Sequence, residues 1–338
     1  MNYLSLALLI VSADVWGQSL SLKPFDIAIN SSFRGLSVVD DSVVWASGSQ
    51  GWVGKSLDGG KHWNFKQVPR HEKSEFRSLY ALNKNSAIVA NSGSPANILI
   101  TKDGGETWKT VYTNLHKDAF FDGIDFWNSS NGIIYGDPID GRMLLLSTND
   151  GGNSWNEIPE KQRPQLNEGE ASFAASGTGI RCYDQSRLLI STGGNVSRLF
   201  TTSNLGKSWK IYSPPIIQGE SSTGIFSFAF RDARNGIVAG GDYVRDTLAI
   251  QHIFVTKDGG KTWAQPVTPT RGYRECIEYI SNTVVLAAGP KGIDISNNNG
   301  LDWAPLSDEQ GYHVIRKARH GNLVILAGNK KLAQVSIK

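Results

Sequence analysis

A short box of residues recurs six times along the chain and constrains its fold more than any other feature. Each copy has a Ser or Thr, an Asp or Asn two residues later, a Gly two residues further and a Trp three residues after that. The copies span residues 56–63, 101–108, 148–155, 202–209, 256–263 and 296–303. Successive copies are about 40 to 55 residues apart, and β-rich runs lie between them. This period predicts an all-β propeller in which each repeat supplies one blade.

The residue types in the box suit a tight turn followed by a packing contact. Asp and Asn accept hydrogen bonds from nearby backbone N–H groups, and Gly tolerates positive φ. The Trp, at a constant distance from the turn, suits packing between neighbouring sheets. Because six near-identical copies cannot all lie in one catalytic site, we interpret the box as structural.

The segments between boxes indicate how many blades there are. In the first unit, residues 33–39, 43–47, 51–56 and 63–68 are predicted strands, and later units open at Phe76, Phe121, Phe173, Phe226 and Tyr273. After Tyr312 the chain supplies only three strands, at residues 312–318, 322–327 and 332–337. Residues 20–29 are the expected donor of the missing strand, since an open sheet edge would leave backbone groups unpaired. We therefore predict seven blades, the last built from both termini. A six-bladed ring with a C-terminal extension is the alternative.

Composition and charge agree with one β-propeller domain over residues 18–338. The chain has 36 Gly, 13 Phe, 10 Tyr and 10 Trp, and its net charge of +3 gives no reason to expect a nucleic-acid partner. Cys182 and Cys276 fall in different predicted blades, so we expect two free thiols. No spacing of His or Cys predicts a metal site, and no glycine-rich turn or Cys-x-x-Cys motif predicts a cofactor.

The amino terminus reads as an export signal. Residues 4–11 are apolar but too few to span a bilayer, and Val15-Trp16-Gly17-Gln18 resembles a cleavage site. Residues 1–17 are thus a predicted signal peptide. We expect a monomer exported to the periplasm or secreted, with no membrane span.

Candidate ligand-binding residues come first from the inner strands, which line the channel of a propeller. The residues that follow the opening aromatic positions are Arg34, Arg77, Asp122, Ala174, Ser227, Arg274 and His313. Arginine is suited to holding carboxylates or phosphates through paired hydrogen bonds. The alternative is that these side chains solvate the channel or pair with acids such as Asp122, and a slip of one residue would turn each to the other face.

A second set of polar candidates lies in two long connections. Residues 136–142 contain Asp137, Asp140 and Arg142, and residues 167–170 contain Glu168 and Glu170. We expect such acids to face the arginines, because propeller loops gather at one face. The alternative for Asp140 is a turn role, since Asp-Gly is a common turn former. The full predicted binding set is Arg34, Arg77, Asp122, Asp137, Arg142, Glu170, Arg274 and His313.

The boxes are similar to the BNR or Asp-box repeats of sialidases, and the whole chain resembles the photosystem II stability/assembly factor family. Residues 121–127, 136–142 and 170–178 resemble a bacterial branch often labelled oxidoreductase or glycosyl hydrolase. The resemblance implies seven blades and a chaperone-like scaffold that binds membrane-protein intermediates through an arginine-rich patch. Arg34, Arg77 and Arg274 are the candidates for that patch. The expected partner is a protein, or another anionic or carbohydrate ligand, at the channel mouth.

A glycoside hydrolase of sialidase-like type is the alternative function. The chain resembles sialidases, which use three arginines, an acid and a Tyr nucleophile beside a Glu. Here Arg34, Arg77 and Arg274 would hold the substrate, Asp122 or Glu170 would act as acid or base, and Tyr273 or Tyr312 would be the nucleophile. The opening expected of sialidases, Phe/Tyr-Arg-Ile-Pro, is replaced by residues 33–36, Phe-Arg-Gly-Leu. The sequence therefore favours a binding scaffold without catalytic residues and leaves enzymatic activity open.

Overall fold

The repeated box forms the same hydrogen-bonded turn in each of its six copies. In the first copy, the Ser56 hydroxyl donates to Asp58 Oδ1 at 2.9 Å and accepts from Gly60 N–H at 2.8 Å. The N–H of His62 donates to Asp58 Oδ1 at 2.9 Å. The other five copies repeat these three bonds. The Gly has positive φ in all six copies, which explains why no other residue type occurs there.

The box tryptophans pack between neighbouring sheets, as the sequence predicts. Trp155 lies in one apolar cluster with Ile88 of the preceding sheet and Ile134 of its own. The other five occupy corresponding positions between consecutive sheets and are Trp63, Trp108, Trp209, Trp263 and Trp303. Each box thus ends one strand and fills the contact between two blades.

A computed structural model describes residues 20–337, which form seven antiparallel sheets. The first strand is β1 (Leu20–Pro24). Blade 1 contains β2 (Phe33–Val38), β3 (Val44–Gly48), β4 (Trp52–Ser56) and β5 (Asn64–Gln67). Blade 2 contains β6 (Phe76–Ala81), β7 (Ala87–Asn91), β8 (Ala96–Thr101) and β9 (Lys109–Asn114). Blade 3 contains β10 (Phe121–Phe126), β11 (Gly132–Ile139), β12 (Arg142–Thr148) and β13 (Asn156–Glu157).

The next two blades are interleaved in sequence. Blade 5 begins with β14 (Glu170–Ala171), whereas blade 4 contains β15 (Ile180–Tyr183), β16 (Arg187–Ser191), β18 (Leu199–Thr202) and β19 (Lys210–Tyr212). The rest of blade 5 is β17 (Gly193–Gly194), β20 (Thr223–Phe230), β21 (Gly236–Asp242) and β22 (Ile253–Thr256). Blade 6 contains β23 (Cys276–Tyr279), β24 (Val285–Gly289), β25 (Gly292–Ser296) and β26 (Ala304–Ser307). Two short 3-10 turns, Ser49–Gly51 and Glu160–Gln162, complete the elements up to this point.

The last blade is closed by both ends of the described chain. Its strands are β27 (Tyr312–Lys317), β28 (Val324–Gly328) and β29 (Lys331–Ile337), and β1 pairs antiparallel with β29 as the outermost strand. Inner strand β27 packs against β2 of blade 1 and β23 of blade 6, which completes the ring. The seven-bladed prediction is confirmed, and the six-bladed alternative is wrong.

Three other predictions have different outcomes. Phe173 does not open the fourth blade, whose inner strand begins at Ile180, because residues 172–179 form an irregular segment instead. Cys182 and Cys276 are free thiols, as expected. The predicted signal peptide lies outside the described residues, so it and the domain boundary at residue 18 stay predictions. Within residues 20–337 there is no helix of the length and apolarity needed to span a membrane.

Candidate functional site

A bulge near the start of the inner strand recurs around the ring and determines which side chains reach one channel mouth. In β2, β6, β10, β20 and β27 the pairing register slips by one residue after the first few positions. An extra residue in a bulge is re-aimed relative to its neighbours. The extra residues are Arg34, Arg77, Asp122, Phe226 and His313. We call this the bulge end of the channel; the box turns follow the third strands and lie at the opposite end of the blades.

A cavity of about 470 Å³ opens at the bulge end. Its polar lining residues are Arg34, Arg77, Asp122, Asp137, Ser172 and Glu275. Its aromatic wall consists of Phe173, Phe226, Tyr243 and Tyr273. Phe173 and Phe226 stack with ring centroids 3.8 Å apart, and Tyr273 meets Phe226 edge-on at 4.7 Å. A cavity with an apolar wall and a few converging polar groups is the usual form of a ligand site.

The two arginines of the cavity have different surroundings. Arg34 Nη1 donates to Ala175 O at 2.6 Å and forms an ion pair with Glu275 Oε2 at 2.7 Å. His313 Nδ1 lies 3.0 Å from the same Glu275 oxygen. Arg77 Nε is buried with no hydrogen-bond partner among the described residues, and the nearest carboxylate oxygen, on Glu75, is 3.8 Å away. Burial, followed by the charge of Arg34, lowers the pKa of Arg77. Arg77 is therefore the cavity arginine with unused hydrogen-bonding capacity.

The acidic side of the cavity is formed by the carboxyl pair Asp122 and Asp137. Asp122 has no exposed surface, and neither of its carboxyl oxygens has a hydrogen-bond partner among residues 20–337. Burial and the neighbouring Asp137 raise the pKa of Asp122 well above its usual range, against a smaller opposing effect of Arg77. Asp137 Oδ1 accepts a hydrogen bond from Ser172 N–H at 3.0 Å, yet burial still raises its pKa. A carboxyl group so enclosed and unpaired is unusual in a native fold and is a candidate for ligand contact.

Arg274 does not face the cavity, contrary to the sequence prediction. It is fully buried; its Nε donates to Asp294 Oδ2 at 3.0 Å and its Nη1 to Tyr273 O at 2.8 Å. The inner strand of blade 6 begins at Cys276 rather than at Tyr273, so Glu275 takes the place expected for Arg274. In blade 5 the bulge residue is Phe226, so Phe226 rather than Ser227 lines the cavity. The arginine triad required by the sialidase-like alternative is therefore not assembled.

Two further predicted site residues lie outside the cavity lining. Glu170 is buried in an ion pair with Arg198, with Oε2 and Nη2 2.6 Å apart, and accepts from Thr192 Oγ1 at 2.6 Å. Arg142 donates to Arg163 O at 3.0 Å and to Glu160 Oε1 at 3.2 Å. Both side chains are engaged in local structure, which leaves neither aimed at the ligand cavity.

The tyrosines and turn residues also differ from a hydrolase site. Tyr273 and Tyr312 are buried, and burial raises the pKa of each, which disfavours the phenolate that a nucleophile needs. Asp140 has φ of 52°, as its alternative role in a turn requires, and Glu168 is exposed.

The sequence reasoning missed a second group of arginines at the box end of the channel. There a cavity of about 400 Å³ is lined by Tyr80, Arg181, Glu278 and Arg319, among others. Arg181 is bonded to Glu278, and Arg319 Nη1 donates to Ser37 Oγ at 2.9 Å. Arg181 lies on the inner strand of blade 4, which begins at Ile180. Because side chains alternate between the two faces of a strand, a sequence prediction with the correct strand start would have included Arg181 among the channel candidates. Because these arginines already have partners within the fold, the bulge-end cavity remains the stronger candidate.

Comparison with known proteins shows which family the sequence resembles. Residues 16–116 and 92–212 match the family described as Photosynthesis system II assembly factor YCF48. The Photosystem II assembly lipoprotein Ycf48 of Synechococcus sp. (strain CC9902) is 24% identical over 330 residues, which cover 91% of this chain and 88% of that protein.

Two solved structures share the fold. The structure of YCF48 bound to D1 peptide superposes with a TM-score of 0.70 at 14% identity, covering 96% of this chain and 98% of that one. YCF48 from Cyanidioschyzon merolae gives a TM-score of 0.68 at 14% identity, covering 93% and 98%. Since the family match extends over more than half of the sequence, the chain belongs to the family of the photosynthesis system II assembly factor YCF48.

Proposed function

We propose that this chain is an exported, non-enzymatic assembly scaffold that binds a segment of a partner protein in the bulge-end cavity. The observation that carries the proposal is Arg77, which lines the cavity and keeps a buried Nε without a partner among the described residues. An arginine in this condition gains most from an incoming carboxylate or carbonyl group. The proposed binding residues are Arg34, Arg77, Asp122, Asp137, Glu275 and the aromatic wall, and His313, which does not line the cavity, contacts Glu275.

Family membership supports an assembly role. The cyanobacterial relative is named a photosystem II assembly lipoprotein, and one structural relative was solved with a D1 peptide. By analogy, the partner of this chain is a membrane protein under assembly, recognised through an extended segment. The lipoprotein relative and the predicted signal peptide at residues 1–17 both support export.

A site-specific cross-link tests the proposed surface. We would replace Tyr243, which lines the cavity and is 50% exposed, by a photoreactive phenylalanine analogue in the full chain in its own host. The control carries the analogue at Leu57, which is 53% exposed in the box turn of blade 1, at the opposite end of the channel. The proposal expects a covalent adduct with a membrane protein from position 243 and none from position 57. Equal adducts from both positions would contradict it.

An affinity measurement tests the role of Arg77. The probe is the fluorescently labelled D1 peptide of the structural relative, followed by anisotropy. Losing a hydrogen bond to a charged group costs roughly 1.5–3 kcal/mol, so Arg77→Ala should weaken binding by about tenfold or more. Arg77→Lys keeps the charge but not the paired donors and should restore only part of the affinity. Unchanged affinity in Arg77→Ala would remove this residue from the site.

Turnover distinguishes the scaffold from the hydrolase alternative. The purified chain would be assayed on a panel of fluorogenic sialosides and other glycosides, with Asp122→Asn beside it. We expect no release above background. Release that disappears in Asp122→Asn would replace the proposed scaffold by a glycoside hydrolase.

A further inference from the structure

The charges around the bulge-end cavity are unevenly compensated. Arg34 is paired with Glu275 at 2.7 Å, and Arg77 has Glu75 as its nearest carboxylate at 3.8 Å. In residues 20–337, no Lys, Arg or His nitrogen lies within 4 Å of either member of the carboxyl pair. Each arginine thus has an acidic neighbour, and within the described residues the carboxyl pair has no direct ion-pair partner, since Arg77 acts on Asp122 only from a longer distance.

The hydrogen-bonding capacity of this corner is also unused. Both oxygens of Asp122 are enclosed without a donor, and the Ser172 hydroxyl beside the pair has no partner in the described part of the chain. Asp122 has no exposed surface, so a missing partner costs the desolvation of a polar group. An incoming group with several N–H donors and a positive charge would satisfy the charge and the hydrogen bonds together.

The aromatic part of the cavity lining suits the remainder of such a group. The aromatic wall offers the stacked rings of Phe173 and Phe226, with Tyr273 edge-on. Aromatic faces attract ammonium and guanidinium groups and also pack against their aliphatic stems. The volume of about 470 Å³ accommodates a long side chain with room for water.

We infer that the carboxyl pair Asp122 and Asp137 and the aromatic wall bind a lysine or arginine side chain of the partner segment. The inference rests on the proposed function, since the cavity is the same, and adds the chemistry of the anchoring residue. Arg77, on the other part of the lining, remains available to a carbonyl or carboxylate of the same segment. The cavity thus selects a segment with both signs of charge rather than a purely acidic one.

A resident metal ion suits this corner less well. Within the described residues, no three His, Cys, Asp or Glu side chains come together as ligands. Calcium takes six to eight oxygen ligands, far more than one carboxyl pair and a hydroxyl provide. A calcium arm in the experiment tests this alternative directly.

The experiment compares charged and neutral probes of the same shape. N-acetyl-L-arginine amide and N-acetyl-L-citrulline amide would be titrated into the full chain by calorimetry, with calcium chloride alone as a third titrant. The arginine probe should bind at least tenfold more tightly than the citrulline probe, and calcium should give no heat. Equal binding of the two amides, or heat from the calcium titration, would overturn the inference before any variant is made.

Variants of the two aspartates then test whether the carboxyl pair binds the charged group of the arginine probe. Asp122→Asn and Asp137→Asn keep side-chain size and should reduce arginine binding to the citrulline level. The matched control is Asp140→Asn, which removes an exposed carboxylate from the same loop outside the cavity. Asn tolerates the positive φ of that position, so this variant should bind like the parent. Retained arginine binding in both Asp122→Asn and Asp137→Asn would refute the assignment.

The cross-link from position 243 separates this inference from the proposed function. If Asp122→Asn and Asp137→Asn leave the partner adduct unchanged while Arg77→Ala abolishes it, the scaffold stands and the cationic anchor is wrong. Loss of the adduct in the carboxyl variants, with Asp140→Asn unaffected, is the result expected of both.

Discussion

The aspartates of this protein show how strongly one residue type depends on its surroundings. Asp258 in a box turn is only partly buried, and hydrogen bonds from Thr262 are the main cause that lowers its pKa to about 2. Asp122 on the inner strand of blade 3 is enclosed without a partner, and burial raises its pKa. The first arrangement holds a turn closed. The second carries a stability cost, as is typical of residues kept for binding.

The burial of Asp122 without a partner predicts that the stability of the folded protein depends on pH. Because the folded-state pKa is raised, the folded protein binds more protons than the unfolded chain above the ordinary Asp pKa, and stability falls as pH rises. Asp122→Asn cannot ionise, so the variant should gain stability over the parent as pH rises from about 4. The gain should reach about 1–3 kcal/mol, the penalty of an unsatisfied buried group. Urea unfolding of both proteins at pH 5 and pH 8 measures it. A gap that does not change with pH would show that the folded-state pKa of Asp122 is not raised into that range.

At the scale of the element, the bulge of the inner strand has a partner in the second strand. Gly48, Gly136, Gly240 and Gly328 lie opposite the strand residues that precede the bulges. A Cβ at each of these glycines would approach a backbone carbonyl oxygen of the neighbouring strand to 2.4 Å or less. The close approach of the two backbones favours glycine at these four bulges, whereas Asn91 lies opposite Phe76 at the corresponding bulge of blade 2.

The boxes and the bulges differ in how far the sequence predicts them. The boxes identify six blades and the ends of their third strands, because their turn chemistry is local, and the strands after Tyr312 indicate the seventh. They leave the bulge undetermined, since one extra residue changes which side chain reaches the cavity without changing the hydrophobic pattern much. Arg34, Arg77 and Asp122 line the cavity, whereas Glu275 lies at the position that the sequence pattern indicates for Arg274. Phe173 is predicted to open the fourth unit but belongs to an irregular segment, which periodicity cannot describe.

Gly240→Ala tests the link between glycine and bulge. Its Cβ would lie 1.9 Å from Gly224 O and 2.9 Å from Phe226 N, both backbone atoms that cannot move without the bulge. Overpacking of this kind typically costs about 1–3 kcal/mol, and we expect at least the upper end here because no side chain can yield. The displaced Phe226 should also weaken binding in the cavity through the aromatic wall. Urea unfolding and the arginine titration measure the two effects. A variant as stable as the parent would show that the two strands tolerate a wider separation.

At the scale of the whole molecule, stability depends on how the ring is closed. Most packing between strands of different blades joins neighbouring blades, so a ring without closure would expose two large apolar faces. The pairing of β1 with β29 joins the two ends of the described chain within one sheet. The largest apolar cluster lies at this point and includes residues of blades 1, 6 and 7, such as Val44, Leu286 and Leu326. The ring is therefore closed both by the backbone pairing of β1 with β29 and by the largest apolar cluster between blades.

A disulfide across the closing strands tests whether unfolding begins there. Ser21 and Ser336 are direct partners in the β1–β29 pairing, and antiparallel partners have Cα separations within the range that a disulfide spans. In the double variant Ser21→Cys and Ser336→Cys, oxidation closes a loop around nearly the whole ring. Cross-links of long loops typically stabilise by about 2–4 kcal/mol, which should raise the urea midpoint. Dithiothreitol should return the midpoint to that of the parent, and Ser21→Cys alone is the matched control. The native thiols fall in other blades, with Cys276 buried and Cys182 partly so, which limits exchange with the new bond. If the oxidised and reduced forms unfold at the same midpoint, the ring opens between two blades elsewhere, and closure by β1 does not limit its stability.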